Sequence, residues 1–144
     1  MLFGCCDGGA AMNAMIDDMS RELQGLDASN PSVTVIKKAA LEGVGLLKDA
    51  TSALLKSGAS RPDAAMAVSV PYLMLNGYVM GGWLMARAAA IASKNLTGQD
   101  RAFYEAKLHT ARFYAEQVLP NALGLARVVQ SGAESVIETD AALI

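Results

Sequence analysis

Residues 64–86 read AAMAVSVPYLMLNGYVMGGWLMA, 23 consecutive positions without a formal charge. As a helix rising 1.5 Å per residue, such a run would cross a typical hydrocarbon layer. Gly77 and Gly81 even stand at the small-xxx-small spacing of packed membrane helices. A second reading is a central helix, apolar on most sides because protein surrounds it. Ser69, Asn76, Pro71 and three glycines dilute the apolarity, and Arg61, Asp63 and Arg87 at the ends give no one-sided positive bias. The neighbouring segments also need a partner with apolar sides. The run is therefore read as the centre of a helical bundle, with no membrane span.

Outward from it, the chain divides into four helical segments. Toward the N-terminus, Met12, Met15, Ile16, Met19, Leu23 and Leu26 recur at three- and four-residue steps and predict a helix over about residues 9–26, with Asp7 as a cap upstream. Asn30 followed by Pro31 signals the next start. Val33, Ile36, Ala40, Gly43, Leu47, Thr51 and Leu54 form the seam of this second helix, and Gly58 is its expected stop. The third helix is expected from Ser60 to about Asn95. Thr97 and Asp100 have capping-box spacing for the fourth, which runs to about Gln130 and stops at Gly132. Pro71 and Pro120 fall inside helices and predict kinks, with a split at Pro120 as the alternative. No strand pattern interrupts this. The expected fold is all-α: an up-and-down four-helix bundle with a short C-terminal tail.

Composition agrees. The 144 residues suffice for one domain; 53% are apolar and 18% charged. The net charge of −2, without a Lys/Arg run, argues against nucleic acid as a partner. Charge is uneven, however. Residues 1–30 carry five acids and one base, and residues 31–60 carry four lysines against two acids, which would favour pairing of the first two helices. The adjacent Cys5 and Cys6 cannot staple distant segments. With no signal-peptide pattern at the start, a reducing cytoplasmic compartment is expected.

Candidate chemistry is sparse. No phosphate-cradling loop, nucleophile elbow or zinc spacing occurs, so no catalytic, cofactor-binding or metal-ligating residue is assigned. Glu105 and His109 stand four apart and could touch, but the pair is read as an ordinary surface helix pair. Asp17 and Asp18 point to different faces. Tyr72, Asn76, Tyr78 and Trp83 lend the third helix polar handles. The methionines (Met12, Met15, Met19, Met66, Met74, Met80, Met85) read as adaptable core. Gly8-Gly9 reads as a helix entry and Gly81-Gly82 as close packing. Arg87, Lys107 and Arg112 form no cluster and are only loose candidates for contacting phosphates.

Three ordered runs carry a family resemblance: VPYLMLNGYVMGGWLMARAA over residues 70–89, FYEAKLHTARFYAEQVLP over 103–120 and GAESVIETD over 132–140. Together with DGGAAMNAMI at residues 7–16, they resemble the C-terminal helical domain of one branch of acyl-CoA dehydrogenases. That branch includes 3-methylmercaptopropionyl-CoA dehydrogenases and FadE-type enzymes. The resemblance covers residues 7–144; residues 1–6 fall outside it and are expected to be disordered. In the family, FAD and the catalytic glutamate belong to preceding core domains, so the resemblance implies no cofactor and no catalysis in this chain, FAD being implied for the parent enzyme only. It implies a standalone product, a truncated frame or an excised domain that packs on dehydrogenase core domains. A domain cut from such a core should expose an apolar face and form a homo-oligomer.

Overall fold

A computed structural model describes residues 7–138, which form helices and no strand. The helices are α1 (Ala10–Gly25), α2 (Pro31–Ser60), α3 (Pro62–Ala67), α4 (Ser69–Ser93), α5 (Arg101–Phe113), α6 (Asn121–Ser131) and α7 (Glu134–Ile137), with a π-helical turn at Tyr114–Val118. Four rods result: α1, α2, α4, and α5–π–α6 as one bent unit. α2 and α4 pair at the centre, the bent rod packs on both, and α1 lies mainly on α2. Thr51 meets Tyr72 while Gly43 meets Val79, so α2 and α4 run antiparallel. Asp17 meets Lys48 while Lys37 reaches Gln24, which makes α1 and α2 antiparallel too. This is the expected up-and-down bundle.

The starts follow the sequence. Asp7 accepts from the backbone N–H groups of Gly9 and Ala11, at 2.9 Å each, and these bonds hold its carboxyl below the ordinary 3.8. Gly9 enters the helix at φ 84, where a Cβ would also strike Leu55. Asn30 caps α2 through the Ser32 N–H. The charge asymmetry of the first two helices is used: Lys48 pairs with Asp17 at 3.2 Å, and Lys37 donates to the carbonyls of Gln24 and Leu26 at the C-terminal end of α1.

The expected stops differ in four places. Gly58 does not end α2, which continues to Ser60. Pro62 ends it instead, by driving Arg61 out of the helical region to φ −138, ψ 87. The expected third helix is broken at Val68 (φ −101, ψ 8) rather than kinked at Pro71. Pro71 has no N–H for the Ala67 carbonyl and its ring would clash with that carbonyl. The chain breaks one turn earlier, and Pro71 comes to lie in the first turn of α4, where an N–H is not needed. At Pro120 the fourth helix is interrupted by a π-helical turn, and a second helix, α6, starts at Asn121. The Leu119 N–H bonds five residues back to Tyr114 at 2.8 Å, a π-bulge that absorbs the missing donor of Pro120. The Thr97–Asp100 box does not form; Asp100 stands at the start of α5 without a side-chain cap bond. Gly132 does stop α6, at φ 86.

Beyond Gly132, Ala133 is buried, Ile137 packs on the core, and α7 touches α3, so the described part of the tail lies across the bundle. The remainder of the tail and the expectation for residues 1–6 lie outside the described residues.

Candidate functional site

Two of the family-like runs, residues 70–89 and 103–120, meet on the middle of α4. Gly81 and Gly82 face the bent rod. A Cβ at Gly81 would overlap the Tyr114 hydroxyl, and one at Gly82 would come within 2.9 Å of Leu119. The bare backbone thus lets Tyr114 slide across α4 and donate to the Tyr78 carbonyl at 3.1 Å. Burial pushes the Tyr114 phenol up, and Tyr78 adds to the shift. Leu119, at the end of the π-bulge, wedges between Gly82 of α4 and Gly43 of α2. The bulge offsets the bent rod by one residue just where this wedge is set.

Trp83 faces the other way, toward α1. Its indole N–H donates to one Glu22 carboxylate oxygen at 2.8 Å, and Arg87 binds the other at 2.8 Å. The Arg87 guanidinium also stacks over the indole at 5.1 Å. Sequence reasoning counted Glu22 only as one acid of an acidic helix. Its partners stand 61 and 65 positions away, and no local spacing links them. Below this cluster, Thr51 and Tyr72 share a buried hydroxyl–hydroxyl bond of 2.8 Å, and Thr51 also donates to the Leu47 carbonyl. Asn76 is satisfied by the Tyr72 carbonyl.

The other candidates are placed as follows. Glu105 binds Arg101 at 2.7 Å, and no hydrogen bond joins it to the exposed His109. Asp17 and Asp18 point apart, to Lys48 and Arg21. The three loose phosphate candidates do not converge: Arg87 is held by Glu22, Arg112 by Glu116, and Lys107 lies over Phe103. Met12, Met15, Met19, Met80 and Met85 are core or pack on it, whereas Met66 and Met74 stand exposed. The all-core reading of the methionines is corrected for these two. Both lie on segments that α2 covers on one side only.

Two hollows are notable among the described residues. A cavity of about 130 Å³ sits between α1, α2 and α4, lined by Met12, Leu54, Leu55, Thr51 and Tyr72 with Asp7 at its edge. A broader groove of about 530 Å³ runs between α2 and the π-bulge, floored by Gly43, Gly45 and Leu119 and rimmed by Glu42 and Asp49. Two carboxylates at the rim would repel a phosphate placed in this groove. No group of three or more His, Cys, Asp or Glu among the described residues could hold a metal. No helix among them is long and apolar enough to cross a membrane.

Comparison with known proteins bears on what this motif cluster belongs to. The family described as acetyl-CoA dehydrogenase C-terminal like matches residues 10–140. A 3-methylmercaptopropionyl-CoA dehydrogenase of Ruegeria pomeroyi is 42% identical over 67 residues, 46% of this chain and 11% of that protein. The broad-specificity linear acyl-CoA dehydrogenase FadE5 of Mycobacterium tuberculosis is 37% identical over 78 residues, 51% of this chain and 13% of that protein. The matched stretches thus span about an eighth or less of the curated relatives.

Proposed function

The chain belongs to the acetyl-CoA dehydrogenase C-terminal-like family, and on that footing we propose that it is an accessory, non-catalytic domain that packs on a FAD-containing dehydrogenase core and supports its oligomerisation. One observation carries the reading. The distinctive residues of the family-like runs (Gly81, Gly82, Trp83, Tyr114, Leu119) engage one another and Glu22 inside the bundle, so they act in packing rather than in a chemical site. The reaction of such a core needs a base for the proton alpha to the thioester and a flavin for the hydride. The core would supply both, and this chain would supply shape. The same reading puts it in the cytoplasm, in fatty-acid metabolism.

The test is direct. The full chain, given FAD, an acyl-CoA and an electron acceptor, is expected to show no turnover; measurable turnover refutes the reading. Added to the core of the Ruegeria pomeroyi relative lacking its matching segment, the chain is expected to bind and raise the thermal stability of that core. No binding at high micromolar concentration would count against the accessory role.

A second reading, a stand-alone acyl or acyl-CoA binding module, is favoured only by the apolar cavity between α1, α2 and α4, whose volume admits just a few carbons. Calorimetry with acyl-CoA and with the free acid separates the two; a saturable heat would support the module.

A further inference from the structure

The cavity between α1, α2 and α4 has apolar walls and a charged mouth. Its volume of about 130 Å³ is lined by Ala11, Met12, Leu54, Leu55 and Tyr72. An apolar cavity of about 150 Å³ holds one benzene, so this one takes a body of about five carbons. The polar pair in its wall is already engaged. The Thr51 hydroxyl donates to the Leu47 carbonyl at 2.7 Å and bonds to the Tyr72 hydroxyl at 2.8 Å. A carboxylate or thioester oxygen placed inside would gain no donor from this pair, and burying it unpaired is costly. The mouth sorts charge in the same direction. A helix start attracts anions through its first N–H groups. At α1 those of Gly9 and Ala11, both at the cavity, are taken by the Asp7 carboxylate, and that of Ala10 by the Asp7 carbonyl. What stands at the cavity edge is the carboxylate itself. Each of its oxygens accepts one of these bonds and keeps a further acceptor site. The same bonds lower its pKa from 3.8, so it is ionised at neutral pH, and no Lys or Arg among the described residues pairs with it.

We propose that this cavity is a binding site for a small primary amine: an alkyl body of about five carbons lies between Met12, Leu54 and Leu55, and its ammonium stands at the mouth against the Asp7 carboxylate. The fold sets that carboxylate in place. Gly9, at φ 84 and against Leu55, turns the chain so that Asp7 caps α1 beside the cavity. Met12, Leu54 and Leu55 are only half-buried, so the site opens to water and the charged head keeps part of its hydration. The flexible Met12 side chain lets the walls close on bodies of different shape. The site is independent of the accessory reading, which rests on the contacts of Gly81, Gly82, Tyr114 and Leu119 on the other side of α4. It competes with the acyl-binding reading, which puts an acid or a thioester in the same space.

Three five-carbon probes test this on the full chain at about pH 7, where an alkylamine is protonated and a carboxylic acid ionised: 1-pentylamine, 1-pentanol and pentanoate. Pentylamine is expected to shift the backbone amide resonances of Met12, Thr51, Leu54 and Tyr72 along a saturable curve in the millimolar range. Pentanol, with the chain but no charge, should bind up to about fivefold more weakly. Pentanoate should leave these resonances unmoved at about 10 mM. Asp7→Asn keeps a capping side chain and removes the charge, so it should bring pentylamine down to the level of pentanol and leave pentanol unchanged. Met12→Ala should lengthen the accepted chain by about two or three carbons. The absence of a saturable shift with pentylamine overturns the site, and so does a preference for the amine that survives Asp7→Asn. Pentanoate binding as tightly as pentylamine overturns it in favour of the acyl-binding reading. The accessory reading stands or falls separately, on binding to a dehydrogenase core.

Discussion

The two faces of α4 are alike in hydropathy and opposite in fate. The inner face carries Tyr72, Leu75 and Val79 at 3% exposure or less, and the outer carries Val70, Leu73 and Leu84 about half exposed. What distinguishes them is the shape offered to a neighbour. On the inner and bent-rod sides, Gly81 and Gly82 open holes that Tyr114 and Leu119 fill. The outer side offers knobs and one bare glycine, and no helix among the described residues covers them. The uncharged stretch of α4 is thus covered on one face by the bundle and left exposed on the other.

Mutations that exchange the faces should break this comparison or sharpen it. The largest effect is expected from Leu75→Ala, which empties a fully buried site and should cost about 2–5 kcal/mol in chemical denaturation. The matched Leu73→Ala should change the stability of the monomer by no more than about 0.5 kcal/mol. Equal losses at the two sites would show that the faces are not distinct. Next comes Gly81→Ala, whose methyl would collide with the Tyr114 hydroxyl; a loss of about 1–3 kcal/mol is expected. Combining it with Tyr114→Phe should recover part of that loss, as a double-mutant cycle would report.

Smaller effects belong to polar contacts. Tyr72→Phe removes the hydroxyl bond to Thr51, which keeps its bond to Leu47, so about 1 kcal/mol is expected. Glu22→Gln releases Arg87 at a partly exposed site and should cost under about 1 kcal/mol. The smallest effect is a pH dependence. The carboxyls of Asp7, Asp27 and Asp63 are all lowered from 3.8, by backbone bonds, by Ser29 and by Arg61 respectively. A depressed native pKa gives stability that is present above the unfolded value and lost as pH falls through the native one. Tm should therefore be flat above about pH 5 for these groups and decline below 3.8. Asp7→Asn should blunt the decline, and an unchanged acid limb would rule that contribution out.

Much of this architecture was legible locally. The Asn30-Pro31 start, the Asp7 cap, the Gly132 stop and the buried seam of α2 all depend on neighbours within a few residues, which the sequence displays. The prolines were legible as disturbances but not in form. At Pro71 the chain could end one helix and begin another. At Pro120 the packing of Leu119 between Gly43 and Gly82 held the rod continuous, and a π-bulge resulted. The Thr97–Asp100 spacing was misleading because spacing alone does not set the loop conformation that brings a side chain onto the N–H groups. The candidate site was legible as a pattern of family-like residues, without their pairings.

By itself the sequence determined four helical rods, their order, the family and the absence of charge over residues 64–86, because periodicity, caps and composition are properties of short stretches. Only the tertiary structure decided that Trp83 and Arg87 share Glu22, that Gly81 and Gly82 admit Tyr114 and Leu119, and which face of α4 stays uncovered. The reason is physical: hydropathy states that a side chain should leave water, but which neighbour removes it depends on how whole helices cross.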